Sequence, residues 1–524
     1  MTTTPKTALT PARERYRDDP SVITVLRSPR LLTREALAGL VVAMALIPEA
    51  ISFSIIAGVD PAVGLFSSFV MAVTIAFVGG RPAMISAATG AVALVIAPIM
   101  RDHGFDYFIA TVLLAGVLQI VLAVLGVARL MRFIPRSVMV GFVNALAILV
   151  LLAQLPHLID VPWLVYPLVA VGVAIIALVP RLQRVVPSPL IAVVLLTAAV
   201  LIFGWSVPNV GDQGALPRSL PELFVPQVPL TLETLGIIGP TAFAMALVGL
   251  MESLLTAKLV DDITDTRSSK TRESWGQGVA NLLSGFFGGM GGCAVIGQTM
   301  INVKVSGARS RVSTFLAGVF VLVLSVVLGD VVALIPMAAL VAVMIMVVVA
   351  TFDWHSIAPA TLRRMPLSET LVMVVTVVVV VITHNLAIGV IVGVIVAMVL
   401  FARRVAHFQS VTRTVTDAGA GPEGTAGRAD AVEGGQATAH YVVEGELFFA
   451  SSNDLTTQFA YTDDPDRVVI DLSRSHVWDA STVAALDAIE TKYARLGKTV
   501  ELHGLNAASA SMRERMTGRL GGEG

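Results

Sequence analysis

From Glu35 to Ala406 long apolar runs alternate with short polar interruptions, and the chain turns polar on both sides of that stretch. A helix needs about 20 apolar residues to cross a bilayer. Runs near that length predict twelve such helices, at roughly 36–54, 62–79, 106–126, 137–155, 164–180, 189–204, 238–258, 274–288, 312–329, 335–352, 368–383 and 386–402. Two further apolar pieces, Ala88–Met100 and Ala294–Val305, are shorter. At 1.5 Å per residue they reach roughly 20 Å of a hydrocarbon core about 30 Å thick. Small residues precede each of them, Pro82 to Ala87 and Gly288 to Gly292. If each crosses as an extended strand leading into a half-helix, the total becomes fourteen.

The basic loops favour the larger number. With an inside amino terminus and fourteen crossings, the inner loops hold residues such as Arg81, Arg129, Arg132, Arg136, Arg181, Lys258, Arg309 and Arg404. The outer loops hold only Arg101 and Arg218. Twelve crossings would move Arg129 to Arg136 outside and break the positive-inside pattern. Both termini are therefore expected in the cytoplasm.

Composition agrees. Of 524 residues, 55% are hydrophobic and 14% charged, where soluble domains average about 25% charged. So few charges cannot clothe a water-exposed surface, and most of the chain is expected in lipid. Lys and Arg number 36 against 37 Asp and Glu, so no global field points to nucleic acid. One cysteine excludes a disulfide framework and a Cys-cluster metal site, and the eight histidines lack metal spacing. Residues 1–34 hold seven basic residues without an apolar core, unlike a cleavable signal. A Gly-x-Gly-x-x-Gly match at Gly419, Gly421 and Gly424 contains Pro422 and follows no predicted strand, so it is read as chance. No cofactor is expected.

Two halves of seven spans, about 35–205 and 235–405, have matching lengths, and an odd number of spans requires the second to be inverted. Only two carboxylates sit deep inside apolar runs, Glu49 in the first span and Glu252 in the eighth. Glu49 stands 40 residues before Thr89, and Glu252 stands 40 before Gly292. An inverted repeat with short, Gly/Pro-interrupted helices at corresponding places is the pattern of a secondary transporter. Half-helices ending near the midplane present unpaired N–H groups, and two such ends form an anion site without Lys or Arg.

A charged carboxylate at membrane depth costs roughly 3 kcal/mol or more, so it is paired, protonated or beside a cation. Thr256, four residues after Glu252, shares its helix face. The functional reading is a coupling site, with a proton on Glu252 or Na⁺ between Glu252 and Thr256. The alternative is a neutral Glu252 satisfying broken-helix backbone, and the same pair of readings applies to Glu49 beside Pro48. Asn144, Gln154 and Gln298 are read as interhelix bonds or substrate contacts, Gly285 to Gly289 and Gly389 to Gly393 as packing, and Cys293 as a small filler.

The tail predicts a flexible linker over Val411 to Ala439 and then a small α/β domain. Its strands fall at His440–Phe449, Arg467–Leu472 and Val500–His503, and its helices at Asn453–Tyr461, Ser481–Tyr493 and Ala507–Met516. It carries no nucleotide loop and no catalytic constellation, so an enzyme is not expected. Asp479 to Thr482 opens its main helix, with Asp479 or Ser481 as the cap. The functional alternative there is phosphorylation or a partner at Ser481.

Ile47-Pro48-Glu49-Ala50, Gly64 to Ser67, Leu247 to Thr256, Asn302-Val303-Lys304 and Gly307 to Arg311 resemble the SulP inorganic-anion transporters. Asp471-Leu472-Ser473 and the Asp479 to Thr482 turn resemble a STAS domain. The resemblance spans roughly residues 35–515. It implies a core of spans 1–4 and 8–11 sliding as an elevator against a gate of spans 5–7 and 12–14. It also implies homodimers and a regulatory STAS domain that binds cytoplasmic partners. It places substrate at Thr89, Gly90, Ala294, Val295, Ile296, Gly297, Gln298 and Thr299, and ion coupling at Glu252 and Thr256. Four features depart from the family. Many members have Gln at the Glu49 position. Animal members carry Ser-Arg near Gln298, and the missing Arg counts against chloride-type exchange. Sodium-coupled bicarbonate members have Asp at the Glu252 position, and the longer Glu leans towards a proton. In the STAS turn, Ala480 and Thr482 replace the usual Ser and Gly.

The function expected is secondary active symport of a small inorganic anion of the sulfate or bicarbonate class, with H⁺ or Na⁺, in a bacterial inner membrane. Alternatives are a carboxylate or nucleobase carrier of the same architecture and a membrane-anchored STAS signalling protein.

Overall fold

The computed structural model describes residues 20–126, 134–182, 187–217, 219–406, 410–416 and 437–518. Outside these lie most of the basic amino-terminal segment, the loop residues Arg129, Arg132, Arg184 and Arg218, and Gly419, Gly421 and Gly424. Two units divide the chain, Met1–Val394 and Ile395–Gly524.

In the first unit, α1 (Val22–Arg27), α2 (Pro29–Ala57) and α3 (Pro61–Val78) lead to a two-residue strand, β1 (Ser86–Ala87), and α4 (Gly90–His103). Then come α5 (Phe105–Val124), α6 (Arg136–Gln154), α7 (Val165–Leu182), α8 (Ser188–Phe203), α9 (Leu232–Thr264) and α10 (Lys270–Phe286). Strand β2 (Cys293–Ala294) opens α11 (Ile296–Met300), which runs on as a π-helical turn over Ile301–Val305. The remainder is α12 (Arg311–Val327), α13 (Gly329–Ala333), α14 (Met337–Thr351), α15 (Pro359–Arg364), α16 (Leu367–Thr383) and α17 (Leu386–Ala406), the last straddling the unit boundary.

Each of the twelve long apolar runs is a helix, and each short piece is a strand followed by a helix. Six helices are long and apolar enough to cross a membrane, and five more apolar ones have 10–17 residues. The remaining run, α10, starts earlier than its apolar run and is polar on its buried side, where Glu273, Gln277, Asn281 and Ser284 are enclosed. That side serves the irregular backbone around β1 and β2, whose N–H and C=O groups have no water to turn to. Asn281 Oδ1 accepts from Gly292 N (2.8 Å) and its Nδ2 donates to the Gly292 carbonyl (3.1 Å), while Gln277 Nε2 donates to Ser86 Oγ (2.7 Å). α10 lies close enough to α5 that a Cβ on Gly278 would stand 2.6 Å from the Gly116 carbonyl oxygen. Only glycine permits that approach.

Strands β1 and β2 pair antiparallel, Ser86 with Ala294 and Ala87 with Cys293. Gly292, just before β2, lies so close to this crossing that a Cβ there would collide with the Ala87 carbonyl. Asn144 proves to be an interhelix bond, donating to Ser356 Oγ (2.9 Å) and accepting from Asp353 N (2.8 Å).

The second unit is a four-stranded sheet in the order β3 (Ser410–Thr416), β4 (Thr438–Leu447), β5 (Arg467–Val477) and β6 (Thr499–His503). β3 is antiparallel to β4, and the remaining pairs are parallel. Helices α18 (Phe449–Leu455), α19 (Ala480–Arg495) and α20 (Ala507–Met516) complete it, with Tyr441, Ile470, Leu486, Ile489 and Tyr493 in the core. Two expectations are corrected. The linker does not begin at Val411, because β3 is an edge strand of this sheet. Its β-branched Val and Thr residues suit a strand, but it is exposed along nearly its whole length. The helix expected at Asn453–Tyr461 lies earlier, at α18. Buried Asp464 fastens β3 by accepting from Arg413 Nε (2.8 Å), and it also accepts the hydroxyls of Tyr441 and Tyr493.

Asp479 is the cap of α19, accepting from Thr482 N (3.1 Å) and Thr482 Oγ1 (3.0 Å), and its other oxygen accepts from Phe449 N (2.6 Å). Ser481 is exposed beside it. Ser473 N donates to Asp471 Oδ1 (2.8 Å), which holds that carboxyl below the usual range.

Candidate functional site

A cavity of about 650 Å³ lies in the first unit where α2, α4, α6, α9, α11 and α14 converge. Glu49 and Glu252 both line it, together with Thr89, Gly90, Val295, Ile296, Gly297 and Gln298. No Lys, Arg or His stands among its lining residues.

The starts of two helices meet at this cavity. Thr89 caps α4, its Oγ1 accepting from Val92 N (3.4 Å). The N–H groups of Gly90 and Ala91 ahead of that bond have no acceptor on the protein among the described residues. At α11 the cap position is Val295, which offers no side-chain acceptor, so the N–H groups of Ile296, Gly297 and Gln298 have no acceptor among the described residues. Unpaired N–H groups at a helix start attract negative charge. The arrangement suits an anion held by backbone rather than by basic side chains.

Around these ends the strands are tied down by side chains. Ser253 Oγ accepts from Ala294 N (3.1 Å), Ser68 Oγ from Ala88 N (3.3 Å) and Thr299 Oγ1 from Ile85 N (3.0 Å). Ala294 and Thr299 are buried residues of this scaffold, outside the cavity lining. The Thr256 hydroxyl donates to the Glu252 backbone carbonyl (2.7 Å) and also stands outside the lining. The i, i+4 spacing was right, but the hydroxyl bonds back along the helix, as buried Thr commonly does.

The two carboxylates have different surroundings. Gln298 is the side chain facing Glu49, and its Oε1 has no hydrogen-bond partner among the described residues. Glu252 Oε2 accepts from Cys293 Sγ (2.9 Å), and Sγ lies 3.1 Å from Thr89 Oγ1. In the sequence Cys293 reads as filler, since nothing about a thiol in a run of small residues distinguishes it from alanine. The apolar walls were missed as well. Phe53, Phe142, Val150, Val343 and Met346 line the cavity, and a cavity-facing apolar residue carries the same signal as a lipid-facing one.

Comparison with known proteins places the chain beside others of this architecture. The sulfate permease family profile matches residues 32–166 and 163–376, and the STAS domain profile matches residues 431–517. YbaR of Bacillus subtilis (strain 168), a proposed sulfate transporter, is 50% identical over 485 residues, covering 93% of this chain and 97% of that protein. The bicarbonate transporter BicA of Picosynechococcus is 26% identical, covering 92% and 90% of the two chains. Among solved structures, the transmembrane domain of a cyanobacterial BicA superposes with a TM-score of 0.61 at 26% identity, over 70% of this chain and 97% of that one. The murine solute carrier 26 family member A9 anion transporter, in its inward-facing state, reaches 0.75 at 18% identity, over 95% and 88%.

Proposed function

Because the chain belongs to the sulfate permease family, we propose that it imports a small inorganic oxyanion of the sulfate or bicarbonate class, driven by an ion bound at Glu252. The observation that carries this is the cavity itself, where two helix starts with unpaired N–H groups share one space with Glu252. The named functions of the relatives support the substrate class. We take the coupling ion to be a proton. Thr256, the other oxygen offered for Na⁺, lies outside the cavity lining. Glu49 lines the same cavity.

In this reading the chain crosses the membrane fourteen times in a 7+7 inverted repeat with both termini cytoplasmic. The antiparallel meeting of β1 and β2, one from each half, supports the inversion, and the one-sided basic loops support the orientation. A homodimer of elevators in the bacterial inner membrane, with the STAS domain receiving a cytoplasmic partner, completes the proposal.

Phe53 and Phe142 in the wall favour one rival, a carrier of planar carboxylates or nucleobases that stack on them. Proteoliposome uptake of labelled sulfate and bicarbonate, in competition with unlabelled fumarate and uracil, separates the two. Uptake blocked by uracil or fumarate but indifferent to both inorganic anions would refute the proposal. An imposed pH gradient should stimulate uptake, and a Na⁺ gradient at equal pH should not.

A further inference from the structure

Cys293 is the only cysteine in the chain. It sits fully buried on β2, opposite Ala87 of β1, behind the cavity rather than in its lining. Its Sγ is 2.9 Å from Glu252 Oε2 on α9 and 3.1 Å from Thr89 Oγ1, the cap of α4. A thiol has one hydrogen. With that hydrogen on Oε2, the sulfur is left to accept from the Thr89 hydroxyl, and Thr89 Oγ1 in turn accepts from Val92 N. The bonds then run in one direction, from the first turn of α4 through Thr89 and Cys293 to Glu252. Glu252 Oε1 has no protein partner among the described residues and belongs to a side chain that lines the cavity. Gln298, only 2% exposed, lines the same cavity, and its Oε1 has no partner among the described residues.

We propose that Cys293 is a positioning residue for transport: its thiol fixes the rotamer of Glu252 and the α4 cap together, so that the free carboxyl oxygen, which carries the coupling proton, and the α4 N–H groups face one ligand. Cys293 touches no ligand itself. The proposal rests on the anion-transport reading above and adds a residue to it.

Two measurements test it. The S–H stretching band in the infrared belongs to this one thiol and needs no substrate. It should shift towards that of a weaker donor in Glu252→Gln, and shift again in Thr89→Val. A band unmoved by both substitutions would overturn the proposal even if transport of the tested anions failed. In proteoliposomes loaded for sulfate or bicarbonate uptake, Cys293→Ala and the near-isosteric Cys293→Val should raise KM about tenfold, the worth of one buried hydrogen bond. Cys293→Ser, which keeps a donor and an acceptor, should restore most of it. Cys293→Ala should add little to Glu252→Gln, since both break the same chain. Wild-type KM in Cys293→Val, or failure of serine to do better than valine, would refute the role. Absent uptake of either anion by the unmutated protein would count against the transport reading, leaving the infrared result to judge the thiol.

Discussion

The two interrupted segments reach the cavity by different local chemistry. In the first half, Thr89 caps a helix of 14 residues. In the second, Val295 caps nothing, and five α-helical residues give way to a π-helical turn. A side-chain cap fixes the geometry of a helix start, whereas π-turns recur at functional sites where the ladder is locally re-registered. The first half thus supplies a fixed end and the second an adaptable one, and the two meet through the Ala87–Cys293 pair. The carboxylates follow the same division: Glu252 is tied through Cys293 to the capped end, and Glu49 faces Gln298 on the uncapped one.

The strongest way to break this contrast is at the crossing both halves share. Gly292→Ala sets a methyl against the Ala87 backbone, which cannot yield as a side chain can. It should remove about 3 kcal/mol or more of stability, read as a steep fall in the thermal midpoint in detergent. An unchanged midpoint would mean that the crossing is loose. Thr89→Val deletes the cap of the fixed end and should cost about 1 kcal/mol. The reciprocal change, Val295→Thr, offers a cap to the adaptable end. It should slow uptake if that end must move, and a faster or unaltered rate would argue that both ends are equally rigid. The smallest effect is expected at Gly297→Ala, where a methyl meets nothing within 4 Å. Stability there should stay within about 0.5 kcal/mol, and any loss would be confined to ligand affinity, measured as a rise in KM.

The large features were legible because they are averages. Twenty apolar residues in a row survive any local detail, and a carboxylate or a run of glycines inside such a row stands out against it. Glu49, Glu252 and both breaks were visible on those terms. What stayed hidden depends on direction. Thr256 shares a helix face with Glu252, but sequence does not say that its hydroxyl turns back to a carbonyl. Ala294 lies one residue before the lining, which begins at Val295, and Thr299 falls between the lining residues Gln298 and Met300. In the second unit, Ser410–Thr416 escaped because an exposed edge strand buries no apolar face.

The measurement that bears most directly on the central claim is gradient-driven uptake by Glu252→Gln beside Glu49→Gln, in matched proteoliposomes, using whichever of sulfate or bicarbonate the unmutated protein prefers. The account predicts that Glu252→Gln loses the acceleration produced by an imposed pH gradient while Glu49→Gln keeps it. Uptake by Glu252→Gln that still follows the gradient would contradict it.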